Sequence, residues 1–255
     1  MDQEASLTTD FSKNGFAFPI DILTADEASV LRKKFYSIYL HDKNLLGHNC
    51  HLLFPDLYDL IFNQKILDAV EQVTGPNIML WASSFFIKNP NSSDFVSWHQ
   101  DQTYWGFEPN EVVTAWLAFS ASNSLSGCMR VIKGSHLEGQ FEHFATNDPL
   151  NMLSVGQTIQ TGFSEKDLVE IVLEPGQMSL HHIGIVHSSE PNKSPVERIG
   201  FVMRYIPTHI KQNKPKPYAT LVRGEDLYGN FIQPQRPHVE CGDFERQMRE
   251  DTMFK

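Results

Sequence analysis

Cysteine is scarce in this chain. Cys50, Cys128 and Cys241 are the three in 255 residues, an odd number at wide spacing that supplies neither a disulfide framework nor a zinc pattern. Reduced thiols with a packing role are expected. Long apolar runs are missing as well: no stretch approaches the ~18 uninterrupted apolar residues of a membrane span. The opening Met1-Asp2-Gln3-Glu4-Ala5 is acidic and lacks the apolar run of a signal peptide. The expectation is a cytoplasmic protein with no membrane partner. Positive charge is also in short supply, because 21 Lys and Arg against 31 Asp and Glu leave a formal charge of −10. That balance argues against nucleic acid as a partner, since phosphate contacts need clustered Lys and Arg. A small anionic ligand is still compatible, because a few arginines in a pocket act locally against the net charge. Internal repeats, low-complexity tracts and linker-like stretches are absent, so residues 1–255 are expected to form one domain. Monomer and homodimer are both left open.

What is present is enough to build a core, with 41% hydrophobic and 20% charged residues. Residues 1–10 are polar and expected to fray, after which Phe16, Phe18 and Ile20 alternate as a strand would. Thr24 followed by Glu27 forms a capping box ahead of a helix whose apolar stripe is Ala28, Val30, Leu31, Phe35 and Ile38. Residues 41–55 carry His41, His48 and His51 without periodicity and suggest a surface segment near an opening. Pro55 to Val73 reads as a second helical region that ends before Thr74-Gly75-Pro76-Asn77. From Ile78 onward the pattern is strands: Ile78 to Lys88, Val112 to Ser120, Glu170 to Leu173, Gln177 to His181 and Ile199 to Pro207. Antiparallel strands with helices in front predict a mainly β fold with flanking helices and a double-stranded β-helix, or jelly-roll, core. The proline-rich tail from His209 onward is expected to wrap the outside or to close over the barrel mouth.

The chemistry centres on Val96-Ser97-Trp98-His99-Gln100-Asp101-Gln102-Thr103-Tyr104-Trp105. If this stretch is a strand, His99 and Asp101 project from one face, because residues two apart share a face. A nitrogen and a carboxylate oxygen side by side are two corners of the 2-His-1-carboxylate triad that suits non-haem Fe(II) and leaves positions open. The third corner must come from elsewhere, and Leu180 to Pro191 holds His181, His182 and His187. An arginine, Arg198, stands eleven positions after His187 (198 − 187 = 11). At the mouth of a strand its fork could hold a carboxylate bidentately.

With these residues the chain resembles the phytanoyl-CoA dioxygenase family of Fe(II)/2-oxoglutarate oxygenases. Further matches are Phe11 to Leu31, Val113-Thr114-Ala115-Trp116-Leu117-Ala118, Gly127 to His136 and Glu174-Pro175-Gly176-Gln177. The resemblance implies an enzyme in which His99, Asp101 and His187 hold Fe(II), with 2-oxoglutarate as co-substrate and O2 as oxidant. His187 is preferred to His181 and His182 because neither of those has an arginine eleven positions on. Arg198 would anchor the distal carboxylate of 2-oxoglutarate, with Arg130 and Arg204 as the next candidates. Lys88 and Trp116 stand where the resemblance places co-substrate-lining residues, and Ser189 is a further hydrogen-bonding candidate. His136 resembles the family's fixed turn. Related halogenases carry Ala or Gly where Asp101 stands, so hydroxylation is favoured over halogenation, while desaturation, cyclisation and epimerisation use the same triad. Outside oxygenase chemistry, a non-catalytic metal-binding β-helix module and a zinc hydrolase are the competing readings.

Tyr104 and Trp105, continuing the metal strand, are expected to wall the substrate side, and aromatic walls suit a quaternary ammonium or a flat ring. The 209–230 segment, with Tyr218, Arg223 and Tyr228, has the composition of a lid over a polar ligand, with Arg223 contacting it. A small polar substrate is expected, and among family members the likeness is greatest to small-molecule hydroxylases such as the aminoethylphosphonate dioxygenases. No basic stretch is placed to hold the phosphates of coenzyme A.

Overall fold

Alternation with a period of two positions the site, and it is followed along the strands of a computed structural model that describes residues 2–153, 157–160, 164–215 and 217–253. In chain order the first elements are α1 (Asp2–Asn14), β1 (Phe16–Asp21), α2 (Ala25–His41), α3 (Pro55–Leu60), α4 (Gln64–Thr74), β2 (Ile78–Lys88), β3 (Val96–His99), α5 (Gln102–Trp105), β4 (Phe107–Glu108), β5 (Val113–Ala118) and β6 (Met129–Ile132). They are followed by β7 (Phe144–Ala145), β8 (Gln157–Thr158), β9 (Leu168–Ile171), β10 (Gln177–His182), β11 (His187–Ser189), β12 (Arg198–Pro207), β13 (Lys211–Gln212), β14 (Thr220–Arg223) and α6 (Asp243–Thr252). Short 3-10 turns cover Lys43–Leu46 and Cys50–Leu52. One sheet has the order β1-β10-β5-β12-β2-β14 and a second the order β3-β11-β6-β9, with antiparallel neighbours throughout. This is the expected double-stranded β-helix with helices on the outside. Among the described residues no helix is long and apolar enough to cross a membrane.

The larger sheet is covered on both faces, which is why its strands read as nearly continuous apolar runs. On β12 the residues Ile199, Phe201, Met203 and Tyr205 join Phe35 of α2, Leu57 of α3 and Ile66, Leu67 and Val70 of α4 in one core. Burying side chains of this size stabilises by about 1.5–3 kcal/mol each. Arg198, Val202 and Arg204 occupy the opposite face and line the barrel interior. On β5 the same alternation sends Ala115 and Leu117 to the helices and Thr114 and Trp116 inward, and on β10 it sends Leu180 outward and His181 inward. Trp116, Ala118 and Val202 then meet Val131, Ile171 and Ile185 between the two sheets.

The capping box at α2 is present: the Glu27 amide donates to Thr24 Oγ1 at 3.2 Å and the Thr24 amide donates to Glu27 Oε2 at 2.8 Å. Several expectations need correction. Residues 2–14 are helical rather than frayed, because Leu7 and Phe11, one turn apart, pack into the core that α4 also enters. Val30 does not belong to the buried stripe and is 66% exposed. The second helical region is two helices, broken where Asn63 Oδ1 accepts from the Lys65 and Ile66 amides and restarts the helix as its N-cap. His51 is not on the surface: it is 2% exposed, with Nδ1 2.8 Å from Ser83 Oγ, and burial pushes its pKa down to about 3. Part of the tail is a strand of the large sheet, since β14 pairs with β2 at its edge.

Candidate metal and co-substrate site

His99 closes β3, and the chain leaves the strand immediately after it. The expected strand through Trp105 is replaced by a helical turn, α5, in which Asp101 is the N-cap with φ −64 and ψ −32. The His99–Asp101 pairing therefore does not depend on a shared strand face. The turn directs the carboxylate back to the histidine, placing Asp101 Oδ1 3.4 Å from His99 Nε2. His187 opens β11 directly opposite His99, and the two ring centroids are 4.0 Å apart. Candidate ligand atoms of His99, Asp101 and His187 all lie within 4.8 Å of one another.

The hydrogen bonds of the two rings set which nitrogen faces this space. His99 Nδ1 is 2.9 Å from the Ser97 carbonyl oxygen, and His187 Nδ1 is 3.0 Å from that of Ile185. A carbonyl only accepts, so each Nδ1 carries the proton and donates, leaving the lone pair on Nε2. Two imidazole Nε2 atoms and a carboxylate then converge on one space, a donor set that a cation would bridge. Two nitrogens and one carboxylate oxygen, oriented by backbone carbonyls, fit Fe(II). Burial by itself would raise the Asp101 carboxyl, but the contact with His99 and the nearby His187 and Arg204 outweigh it, and the group is held well below the usual carboxylate range. Burial, together with His99, holds the His187 ring well below its ordinary value and so in the neutral form a metal requires.

The triad lines a cavity of about 480 Å³. Arg198 also lines it and is 2% exposed, with its guanidinium carbon 5.3 Å from the centre of the Trp116 ring. Its Nη1 donates to the Gly127 carbonyl, while Nε is buried with no hydrogen-bond partner. Among the described residues it has no carboxylate partner, and burial lowers its pKa to about 10. A desolvated cation without a counterion is costly, and an anionic ligand would relieve that cost. Gly200 lets the stack form, because a Cβ at that position would run into the Trp116 ring.

Ser189 lines the cavity as expected, but Lys88 does not. The lysine lies behind the wall. Its Nζ donates to Ser189 Oγ at 2.7 Å, to the Ser189 carbonyl at 3.2 Å and to the Glu190 carbonyl. Burial and the neighbouring Arg198 charge lower its pKa to about 6. Lys88 thus supports Ser189. Trp105 lines the cavity, from α5 rather than from a strand, and the side chain of Tyr104 falls outside the described residues. Arg223 is elsewhere: at the end of β14 it pairs with Asp68 at 2.8 Å and Glu71 at 2.6 Å on α4, so it is a surface clamp and not a ligand contact. Of the reserve anchors, Arg130 pairs with Glu190 and Arg204 lines the cavity. His182 Nδ1 accepts from the Gly184 amide at 3.0 Å, and His136 Nε2 is 3.1 Å from the Ser12 carbonyl, both structural contacts. Sequence reading missed Thr114 and His181 as lining residues, and also Met152 and Leu153. The first two follow from strand alternation, whereas the other two lie in an irregular stretch that gave no signal.

Residues 11–200 match the family described as phytanoyl-CoA dioxygenase (PhyH). A phytanoyl-CoA dioxygenase domain-containing protein 1 homolog from Dictyostelium discoideum is 30% identical over 168 residues, 64% of this chain and 59% of that protein. A protein of Stutzerimonas stutzeri named "Probable alpha-ketoglutarate-dependent hypophosphite dioxygenase" is 25% identical over 158 residues, 62% of this chain and 55% of its own length. The matched stretch therefore spans less than two thirds of these curated relatives. Among solved structures, the apo form of the non-heme monooxygenase ThoJ superposes with a TM-score of 0.85 at 28% identity, covering 96% of this chain and 94% of that one.

Proposed function

The chain belongs to the phytanoyl-CoA dioxygenase family, and on that premise we propose that it is an Fe(II)/2-oxoglutarate-dependent oxygenase hydroxylating an unactivated C–H bond of a small polar molecule. One observation carries the reading: in a single cavity, three metal-type donors freed by backbone contacts converge, and a buried arginine lacks a counterion. A bound Fe(II) would supply the activation of O2 coupled to decarboxylation of 2-oxoglutarate. The overall balance is substrate, O2 and 2-oxoglutarate to hydroxylated product, succinate and CO2, with one oxygen atom in the product and one in succinate. His99, Asp101 and His187 would hold the ion. Arg198 receives the distal carboxylate in charge-assisted hydrogen bonds. Trp116 fixes the guanidinium plane, and Ser189, held by Lys88, offers a hydroxyl beside it. The apolar walls Val96, Trp105, Met152 and Leu153 limit water at the reacting carbon.

Succinate release from 2-oxoglutarate, measured over candidate small amines, phosphonates and amino acids, tests the reading. Turnover is expected to require Fe(II), 2-oxoglutarate and O2 together, with slow uncoupled succinate formation without substrate. Succinate absent under every condition would refute it. Gly200→Ala checks the role given to Trp116. Crowding the ring is expected to cost about 1–3 kcal/mol of stability by urea unfolding and to raise the 2-oxoglutarate concentration for half-saturation roughly tenfold, equivalent to about 1.4 kcal/mol. A variant with unchanged half-saturation would detach Trp116 from co-substrate binding.

A further inference from the structure

A second polar row crosses the inner face of the large sheet at some distance from Arg198. His181 of β10 is directly opposite Thr114 of β5, and Thr114 is directly opposite Arg204 of β12. Residues opposite one another in a sheet share a face, and all three line the cavity. Each has a buried polar atom with no hydrogen-bond partner: His181 Nδ1, Thr114 Oγ1 and Arg204 Nε. The Arg204 guanidinium is oriented, with Nη1 donating to Ser84 Oγ at 3.2 Å and its carbon 5.2 Å from the centre of the Trp105 ring. It forms no ion pair among the described residues. The nearby carboxylate is that of Asp101, whose charge is engaged once a metal occupies the triad.

Three adjacent polar side chains, each with one atom lacking a hydrogen-bond partner and one of them an oriented cation, suit a ligand that brings oxygen lone pairs and negative charge. We propose that Arg204, with Thr114 and His181, binds an oxyanion head group, carboxylate or phosphonate, of the small-molecule substrate. The inference rests on the oxygenase reading and names the substrate class for that site. Arg204 stands six residues after Arg198 on one strand face, roughly 20 Å along the strand between Cα positions, so the two guanidinium groups do not share one carboxylate. Trp105 then forms a wall beside the head group, and the substrate body extends from there toward the triad.

The test is anaerobic binding to the Fe(II)·2-oxoglutarate protein by titration calorimetry, with phenylacetate, benzylphosphonate and the neutral phenylacetamide as probes. At least one anion is expected to bind about tenfold tighter than the amide or better, and comparison of the two anions shows which head group the site takes. In Arg204→Gln that preference should vanish, and Arg204→Lys should keep part of it. Half-saturation by 2-oxoglutarate is expected to move less than about threefold in either. Thr114→Val, which removes a hydroxyl and no charge, should weaken the anion several-fold and leave the amide unchanged, so the test survives if Arg204→Gln fails to fold. Equal affinity of the wild-type protein for anion and amide, no binding of either included, overturns the assignment. A preference that survives Arg204→Gln overturns it too. If Arg204→Gln instead weakens 2-oxoglutarate, the residue is a co-substrate anchor and the oxygenase reading stands. If the wild-type protein binds no 2-oxoglutarate, that reading fails, and the same probes with the protein alone still decide the role of Arg204.

Discussion

His99→Ala, Asp101→Ala and His187→Ala are each expected to abolish Fe(II)-dependent succinate formation while the protein stays folded. The loss should exceed the roughly 10- to 100-fold that follows from disturbing a residue that merely supports a metal ligand. The expectation rests on the donor count, since removing one of three protein ligands from a weakly held ion leaves two. The three side chains line a cavity rather than the apolar core between sheet and helices, so truncating one should not unfold the chain. Calorimetric titration with Fe(II) under anaerobic conditions, alongside circular dichroism, separates the two effects. Parent-level turnover in any of the three variants would remove that residue from the site.

Replacement of Arg198 should produce the second large effect. Arg198→Lys keeps the charge and loses the planar fork, and the affinity for 2-oxoglutarate is expected to fall by about 1.5–3 kcal/mol, the range for hydrogen bonds to charged groups. That corresponds to a loss of roughly 10- to 100-fold, with Fe(II) affinity nearly unchanged. Arg198→Met separates function from structure. In the ligand-free protein the guanidinium is buried without a counterion, so exchanging it for an apolar chain of similar length should leave apo stability equal or higher. A structural arginine would behave oppositely, and a marked fall in the apo melting temperature would assign Arg198 to the scaffold.

Ligand chemistry was the most legible feature of the sequence. Histidine, aspartate and an arginine at defined separations restrict the possibilities by residue type, and the structure brings those four side chains into one cavity. The route by which Asp101 reaches the metal space was not legible, because a two-residue spacing does not distinguish a strand face from a helical turn that starts after His99. Arg204 is six residues from Arg198, an even number, and so lies on the same face, and Thr114 is likewise two residues before Trp116. Arg223 was misplaced because tail composition carries no register, although Asp68 and Glu71, three apart on α4, were a visible pair of partners for an arginine. Lys88 was placed beside the right wall and on the wrong side of it, since a buried amine and a cavity-lining one read alike in sequence. The α1 helix was missed because Leu7 and Phe11 are its apolar anchors within a polar segment, and their partner α4 is distant in the chain.

On the proposed reading, one cavity of this protein binds Fe(II) through His99, Asp101 and His187 and 2-oxoglutarate through that ion and Arg198. The most direct measurement is the anaerobic visible difference spectrum on adding Fe(II) and 2-oxoglutarate separately and together. A weak metal-to-ligand charge-transfer band is predicted when both are present and with neither alone, saturating at one equivalent of Fe(II). It should be lost in Asp101→Ala and should need about 10- to 100-fold more 2-oxoglutarate in Arg198→Lys. A flat spectrum with both present, or a band that persists unchanged in Asp101→Ala, would contradict the account.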